Sequence, residues 1–184
     1  MNKVYFDRLV NRMNCAYGSF LLWKYMRISI SIPEVGKQEA ERRAGIINRY
    51  DGTFTGILYA LENTFISDLH KLFDKSKSSL KLETLTKNLS QQDKKEVVPL
   101  IKSMEKEIKR IEILRNNVTA HEPKNPKTEK IFTEEIEKIF STTQKILNIL
   151  GKSFGTQFIW NQWEGDTKQS FSCLLDDLER GYKK

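Results

Sequence analysis

Apolar residues recur every three or four positions along most of this chain, which is the spacing of one face of an α-helix. The first such segment runs from residue 4 to about residue 30. Its apolar face is formed by Leu9, Met13, Ala16, Phe20 and Trp23. Alternating β-branched residues at 28–32 leave the end of this helix uncertain, and Pro33 is expected to stop it because proline lacks a backbone donor.

A second helical region is predicted over residues 38–75. Its apolar stripe is made of Ile57, Leu58, Leu61, Phe65, Ile66, Leu69 and Leu72. Three glycines weaken the first half of this region, since glycine is a poor helix former, and a kink or break is expected near Asp51. Residues 76–79 then form a polar linker, and residues 80–89 predict a short amphipathic helix.

The most regular pattern predicts one long helix over residues 92 to about 120. Its apolar stripe consists of Val97, Ile101, Met104, Ile108 and Ile111. Continuing the same rhythm places Arg115 on this buried stripe, where a charge needs a partner or a polar cavity. Pro123 biases the residue before it away from helical geometry, so the helix should end near His121.

The last third of the chain predicts two further helices with aromatic residues between them. One helix is expected over residues 133–150, with an imperfect capping box at Thr133 and with Gly151 as its C-cap. Residues 154–163 are rich in aromatic side chains, and residues 167 to about 180 predict the final helix. The inward side chains of that helix are expected to be Phe171, Leu174, Leu175 and Leu178.

These patterns together predict an all-α fold. Residues 1–184 are expected to form a single domain, a bundle of five to six helices, in which residues 151–184 are a C-terminal extension. The composition agrees, since 39% of residues are hydrophobic, 30% are charged, and glycine and proline are scarce. The net charge of +7 fits ordinary solubility, and it equally fits attraction to a polyanion such as RNA.

The few cysteines and histidines argue against a metal site or a disulfide framework. Cys15 and Cys173 lie at opposite ends of the chain, which fits a reducing cytosol, and His70 and His121 are the only histidines. The longest uncharged apolar stretch near the N-terminus, residues 13–23, is too short to span a membrane. The expectation is a cytoplasmic protein without a metal, a cofactor or a membrane anchor.

Arg115 and His121 are the residue types that phosphodiester chemistry needs. Arginine offers a planar donor fork that matches phosphate, and histidine titrates near neutral pH. On an ideal helix the two side chains point about 120° apart, but a frayed last turn could bring them together. The structural alternative is that Arg115 pairs with a buried carboxylate and His121 is a helix-end residue favoured by the helix dipole.

The segment 115–121, Arg-Asn-Asn-Val-Thr-Ala-His, resembles the signature of HEPN domains, in which an arginine and a polar residue precede a histidine. Residues 60–74 and 79–82 look like the abortive-infection U2 branch of these domains, and the resemblance covers roughly residues 4–150. It implies an all-α, commonly dimeric fold. It also implies that two Arg–His motifs form a composite, metal-independent ribonuclease site, and that the protein is a toxin or phage-defence effector with a cognate antitoxin.

Carried onto this chain, the resemblance implies that Arg115 binds the scissile phosphate. His121 would act as general acid and base, and Asn116 would orient the phosphate or the histidine. RNA cleavage through the 2′-hydroxyl would leave a 2′,3′-cyclic phosphate and would need no metal. Some HEPN domains are not catalytic, so a helical RNA- or protein-binding module is the alternative function.

Several other residues are secondary candidates. His70 and Asp74 are one helical turn apart and can interact. His70 is either a packed or interface histidine or a secondary contact near the composite site. Lys124, Lys127 and Asn117 would contact the RNA backbone, whereas a solvated basic loop is the plainer interpretation. For the two aromatic side chains Trp160 and Trp163, base stacking and packing are both open.

Overall fold

The structure is a computed structural model that describes residues 3–74, 82, 86, 89–119 and 131–182, with the backbone alone at 117–119 and 161–162. All regular structure in these residues is helical, which confirms the all-α prediction for the described part of the chain. The helices are α1 (Lys3–Ile28), α2 (Ile32–Val35), α3 (Lys37–Arg49), α4 (Asp51–Phe73), α5 (Gln91–Lys102), α6 (Glu105–Thr119), α7 (Thr133–Gly151), a 3₁₀ turn (Lys152–Phe154) and α8 (Asn161–Tyr182). No helix in these ranges is long and apolar enough to cross a membrane.

The first predicted helix is confirmed, and all five side chains of its predicted apolar face are buried in α1. The role given to Pro33 is wrong. The helix has already ended at Ile28, and Pro33 lies in the first turn of α2, where its missing N–H removes no intrahelical hydrogen bond. The short helix α2 was not predicted from the apolar pattern.

The expected break near Asp51 is confirmed, because α3 ends at Arg49 and α4 begins at Asp51 after the non-helical Tyr50. The apolar stripe of α4 needs one correction. Ile57 is exposed rather than buried, whereas Phe54, which the stripe did not include, is buried. The predicted linker at 76–79 and the short helix at 80–89 fall outside the described residues, apart from single positions such as the buried Leu82.

The prediction of one helix over residues 92–120 is wrong, because a turn separates α5 from α6. The Ser103 hydroxyl donates a hydrogen bond to the Leu100 carbonyl, and the Met104 amide donates to the Ile101 carbonyl at 3.1 Å. The regular hydrogen bond between the Met104 amide and the Leu100 carbonyl is therefore replaced. The apolar stripe is still kept across the turn, since Val97, Met104 and Ile111 are buried.

Helix α7 is bounded differently from the prediction. Its N-cap is Phe132, not Thr133, and the Glu135 side chain accepts a hydrogen bond from the Phe132 amide at 3.1 Å. Gly151 is not a C-cap but the last residue of the helix, and the left-handed position comes later, at Gly155. Gly151 is needed for space, because a Cβ there would lie 2.5 Å from the Thr156 carbonyl oxygen.

The chain divides into two compact units by the density of its contacts. Unit 1 takes residues 1–17 and 65–159, and unit 2 takes residues 18–64 and 160–184. The long helices α1 and α4 each contribute a part to both units. The single-domain assignment of residues 1–184 stays a prediction.

In unit 1, the N-terminal part of α1 packs against the segment that follows α7. The Phe6 ring lies 5.1 Å from the Phe154 ring and 5.7 Å from the Phe158 ring, measured between centroids. Two amide side chains of α7 hold the segment after the helix, since Gln144 and Asn148 both donate hydrogen bonds to the Phe158 carbonyl. Residues 152–159 are thereby packed onto the helix that precedes them.

Unit 2 is held by an ion-pair network between α3 and α8. Arg42 donates two hydrogen bonds of 2.8 Å to Glu39 and reaches across to Asp176 at 2.9 Å and to Glu179. Hydrogen bonding to Arg42 lowers the pKa of Glu39 to about 2. The final helix is longer than predicted, and Leu174 is exposed rather than inward, whereas Phe171 and Leu175 are buried.

Candidate functional site

Two ion pairs join α6 to α7 and fix the helix that carries Arg115. Arg110 pairs with Glu135, and Lys138 donates a 2.7 Å hydrogen bond to Glu107. Partners earlier in α6 contact residues later in α7, so the two helices run antiparallel. Glu135 also accepts the Phe132 amide, and one carboxylate therefore connects α6 to the beginning of α7.

The buried charge on the inner side of α6 is Glu107, which the apolar pattern did not reveal. Its residue is 6% exposed, and its second carboxylate oxygen has no hydrogen-bond partner in the described part of the chain. Burial acts to raise the pKa of Glu107, but the hydrogen bond from Lys138 keeps that pKa below its ordinary value. The sequence does contain a sign that Glu107 is buried. Position 107 lies three residues after Met104 and four before Ile111, so it falls on the same face of the helix.

Arg115 lies in the last turns of α6 and is half-buried, so its predicted place on the stripe is only partly realised. Its Nη1 donates a 3.1 Å hydrogen bond to the Oδ1 atom of the exposed Asn116. The hydrogen-bonded pair of Arg115 and the exposed Asn116 forms a polar surface near the end of α6. The role predicted for Asn116, which is to orient the phosphate or the histidine, stays a prediction.

The structure does not test the rest of the Arg–His segment. Asn117 is described by its backbone alone, within α6. His121, Lys124 and Lys127 lie outside the described residues, and the roles predicted for them stay predictions.

His70 lies in the last turn of α4 and is half-buried. Burial lowers its pKa, and the nearby charge of Arg115 lowers it further, while Asp74 and Glu112 act in the opposite direction. Asp74 lies directly after α4, and the His70–Asp74 pair stays a prediction. His70 and Arg115 are far apart in sequence, and both belong to unit 1.

The remaining candidates are resolved in part. Trp160 is buried, so stacking on a nucleic acid base is not open to it, whereas Trp163 is exposed. No group of three or more His, Cys, Asp or Glu side chains that could hold a metal occurs among the residues that the structure describes. Cys15 and Cys173 are exposed thiols.

A comparison with protein families finds a match over most of the chain. The model of a HEPN family, described as AbiU2, matches residues 6–179. This match extends well past residue 150, where the resemblance found in the sequence ended, so that limit was too short. Comparisons with curated proteins and with solved structures found no match.

Proposed function

The chain belongs to the AbiU2 family of HEPN proteins, and on that basis we propose that it is a metal-independent endoribonuclease acting as a toxin or phage-defence effector. The observation that supports this most is the placement of Arg115. It is half-buried at the end of α6, hydrogen-bonded to Asn116 and electrostatically coupled to His70. A cation whose charge acts on a titratable imidazole suits the binding of a phosphodiester and the transfer of its protons.

In the proposed reaction the ribose 2′-hydroxyl is the nucleophile. Arg115 stabilises the charge that develops on the scissile phosphate, His121 acts as general acid and base, and Asn116 orients the phosphate. The products are a 2′,3′-cyclic phosphate and a 5′-hydroxyl, and no cofactor takes part. Lys124, Lys127 and Asn117 contact the flanking RNA backbone.

The proposed site is composite and lies at a homodimer interface. Each chain supplies one Arg115 and one His121, and pairing of two copies doubles the cationic and titratable groups available to one phosphate. A cognate antitoxin protein would control the activity of the dimer.

The test compares RNA cleavage by the wild type, Arg115→Ala and His121→Ala in the presence of EDTA. Each substitution is expected to lower the cleavage rate by about 100-fold or more, because each removes one transition-state interaction. Lys109→Ala is the matched control, since Lys109 is an exposed cation on the same helix as Arg115. It should cleave as the wild type does.

Absence of cleavage by the wild type over a range of RNAs would contradict the proposal. If RNA were instead bound intact, with an affinity that Arg115→Ala lowers, the chain would be the non-catalytic binding module. Cleavage of an oligonucleotide whose 2′-hydroxyls are all replaced by hydrogen would exclude the proposed nucleophile.

A further inference from the structure

We infer that four charged side chains set the register between α6 and α7 and thereby position Arg115; the effect on cleavage rests on the function proposed above. The four residues are Glu107 and Arg110 on α6 and Glu135 and Lys138 on α7. They act through Arg115, so they are positioning residues rather than catalytic residues. The inference adds a second helix to the support of the proposed site.

The two ion pairs belong to one register. Lys138 donates to Glu107 at 2.7 Å, and Arg110 donates to Glu135. Three residues forward on α6 thus correspond to three residues back on α7. Residues three apart are neighbours on a helix surface, so both contacts lie on the face of α6 that is turned towards α7. Two contacts on one face fix the rotation of α6 about its axis as well as its position along α7.

The order of the charges disfavours the neighbouring registers. Each helix carries an acidic residue followed three positions later by a basic residue, and the two helices run antiparallel. A slip of α6 by one turn in one direction would place Glu107 opposite Glu135 or Glu134. A slip in the other direction would place Arg110 opposite Lys138. Either slip replaces an attraction with a repulsion between like charges, and the observed register is therefore favoured over both.

Burial increases the penalty for a mismatch at Glu107. This residue is 6% exposed, and its Oε2 atom has no hydrogen-bond partner in the described part of the chain. Separation from Lys138 would leave a buried carboxylate without its hydrogen-bonded cation, which is strongly unfavourable. Glu135 is fixed by its own helix as well, since it accepts a hydrogen bond from the Phe132 amide at 3.1 Å.

Arg115 depends on this register because it belongs to the same helix. On an ideal helix it lies about 12 Å along the axis from Glu107 and about 80° around it. A slip of one turn would move the Arg115 backbone by about 5 Å. Asn116 would move with it, since the two side chains are hydrogen-bonded at 3.1 Å. A displacement of about 1 Å can already lower a reaction rate by about 100-fold.

The test exchanges the signs of the charges without changing the net charge of the chain. The α6 exchange is Glu107→Lys/Arg110→Glu, and the α7 exchange is Glu135→Lys/Lys138→Glu. Each of them places like charges opposite each other at both contacts. The fourfold exchange, which combines the two, restores an attraction at both contacts.

The matched control is Glu105→Lys/Lys109→Glu. Both residues are exposed on α6, and on an ideal helix each lies about 160° around the axis from Glu107. This control should keep the register and the cleavage rate of the wild type. The hydrogen bond between Glu135 and the Phe132 amide is lost in the α7 exchange and in the fourfold exchange alike, so comparing these two isolates the ion pairs.

The first measurement uses no RNA. Spin labels are attached at the exposed positions 106 and 145, with Cys15 and Cys173 replaced by serine. The distance between the labels should change in the α6 exchange and in the α7 exchange and should return to the wild-type value in the fourfold exchange. Urea unfolding should show the same loss and recovery of stability. Where a single-helix exchange does not fold, recovery of folding in the fourfold exchange is the readout.

The second measurement is RNA cleavage, under conditions in which circular dichroism shows each variant to be folded. The α6 exchange and the α7 exchange should each lower kcat by about tenfold or more, with a smaller change in KM, because alignment matters most in the transition state. The fourfold exchange should recover most of this loss. Lower stability alone would leave the kcat of a fully folded chain unchanged. If neither single-helix exchange folds, Glu135→Gln serves instead and should also lower kcat.

The outcomes separate the two proposals. If the fourfold exchange recovers neither the label distance nor the stability, the inference is overturned whatever the cleavage results are. If the label distance follows the charges but folded single-helix exchanges keep the wild-type kcat, the positioning of Arg115 is overturned and the ribonuclease stands. If the wild type does not cleave RNA, the ribonuclease fails and the effect on cleavage fails with it, while the spin labels still decide whether the charges set the register.

Discussion

The pKa values of Glu107 and His70 are set in part by charged residues on other helices. Glu107 keeps its charge in a buried position because Lys138 of α7 donates to it. His70 is held towards its neutral form by burial and by Arg115 of α6. At this scale the sequence identified Arg115 by its place on an apolar stripe. It gave no sign of Lys138, which is distant from Glu107 along the chain, whereas Asp74, one helical turn from His70, was among its candidates.

The lowered pKa of His70 predicts how the free energy of unfolding depends on pH. The pKa of His70 in the folded chain is below its ordinary value of 6.5, so the unfolded chain binds this proton first as the pH falls. The free energy of unfolding should therefore decrease as the pH drops below about 6.5, and it should decrease less in His70→Gln. Urea unfolding of both proteins between pH 5 and pH 7.5 measures this difference, and parallel curves would contradict it.

At the scale of elements, periodicity predicts where helices lie better than where they end. The face of α1 and the break between α3 and α4 follow from the positions of apolar residues and glycines. The turn after α5 does not, because the apolar stripe continues across it through the buried Met104. The start of α7 depends on the hydrogen bond from the Phe132 amide to Glu135, and Gly151 was misread because a glycine needed for space looks like a glycine at a C-cap.

The contacts of Glu135 predict that the connection between α6 and α7 contributes measurably to the free energy of unfolding. Glu135→Ala removes both the hydrogen bond from the Phe132 amide and the ion pair with Arg110, so it should destabilise the chain by about 1–2 kcal/mol. Glu134→Ala is the control, since Glu134 is an exposed acidic residue of the same helical turn. Urea unfolding gives both values.

The double variant Arg110→Ala/Glu135→Ala isolates the ion pair from the helix cap. Its destabilisation should be smaller than the sum of the two single effects, because each single variant already breaks the pair. Strict additivity would mean that the pair contributes nothing to the free energy of unfolding.

At the scale of the whole molecule, the family match can be compared with the two compact units. The match runs from residue 6 to residue 179 and so includes residues of both units. The family extends over the aromatic segment and α8, which the sequence had set apart as an extension. The parts that carry Arg115 and His70 both belong to unit 1.

A composite site predicts that two inactive variants restore activity when they share a dimer. Arg115→Ala and His121→Ala, co-expressed with different affinity tags, should form mixed dimers that hold one intact Arg–His pair contributed by both chains. About half of the dimers in an equal mixture should be mixed, so the mixture should cleave RNA faster than either variant alone. Purified mixed dimers without activity would indicate that each pair acts within one chain.

Light scattering gives the matching physical measurement. The wild type should have twice the chain mass of 21.6 kDa, and so should both inactive variants. A monomeric wild type that still cleaves RNA would contradict the composite site while leaving the chemistry in place.

The crowding around Gly151 bears on how related sequences should be compared. A side chain there would meet the Thr156 carbonyl and the rings of Phe158 and Phe6, so glycine is required because no larger residue fits. An alignment of relatives that retain this packing should show glycine at the position as uniformly as arginine at 115. An invariant glycine at 151 would then be explained by packing in the interior. An invariant arginine at 115 would instead point to a role in the reaction.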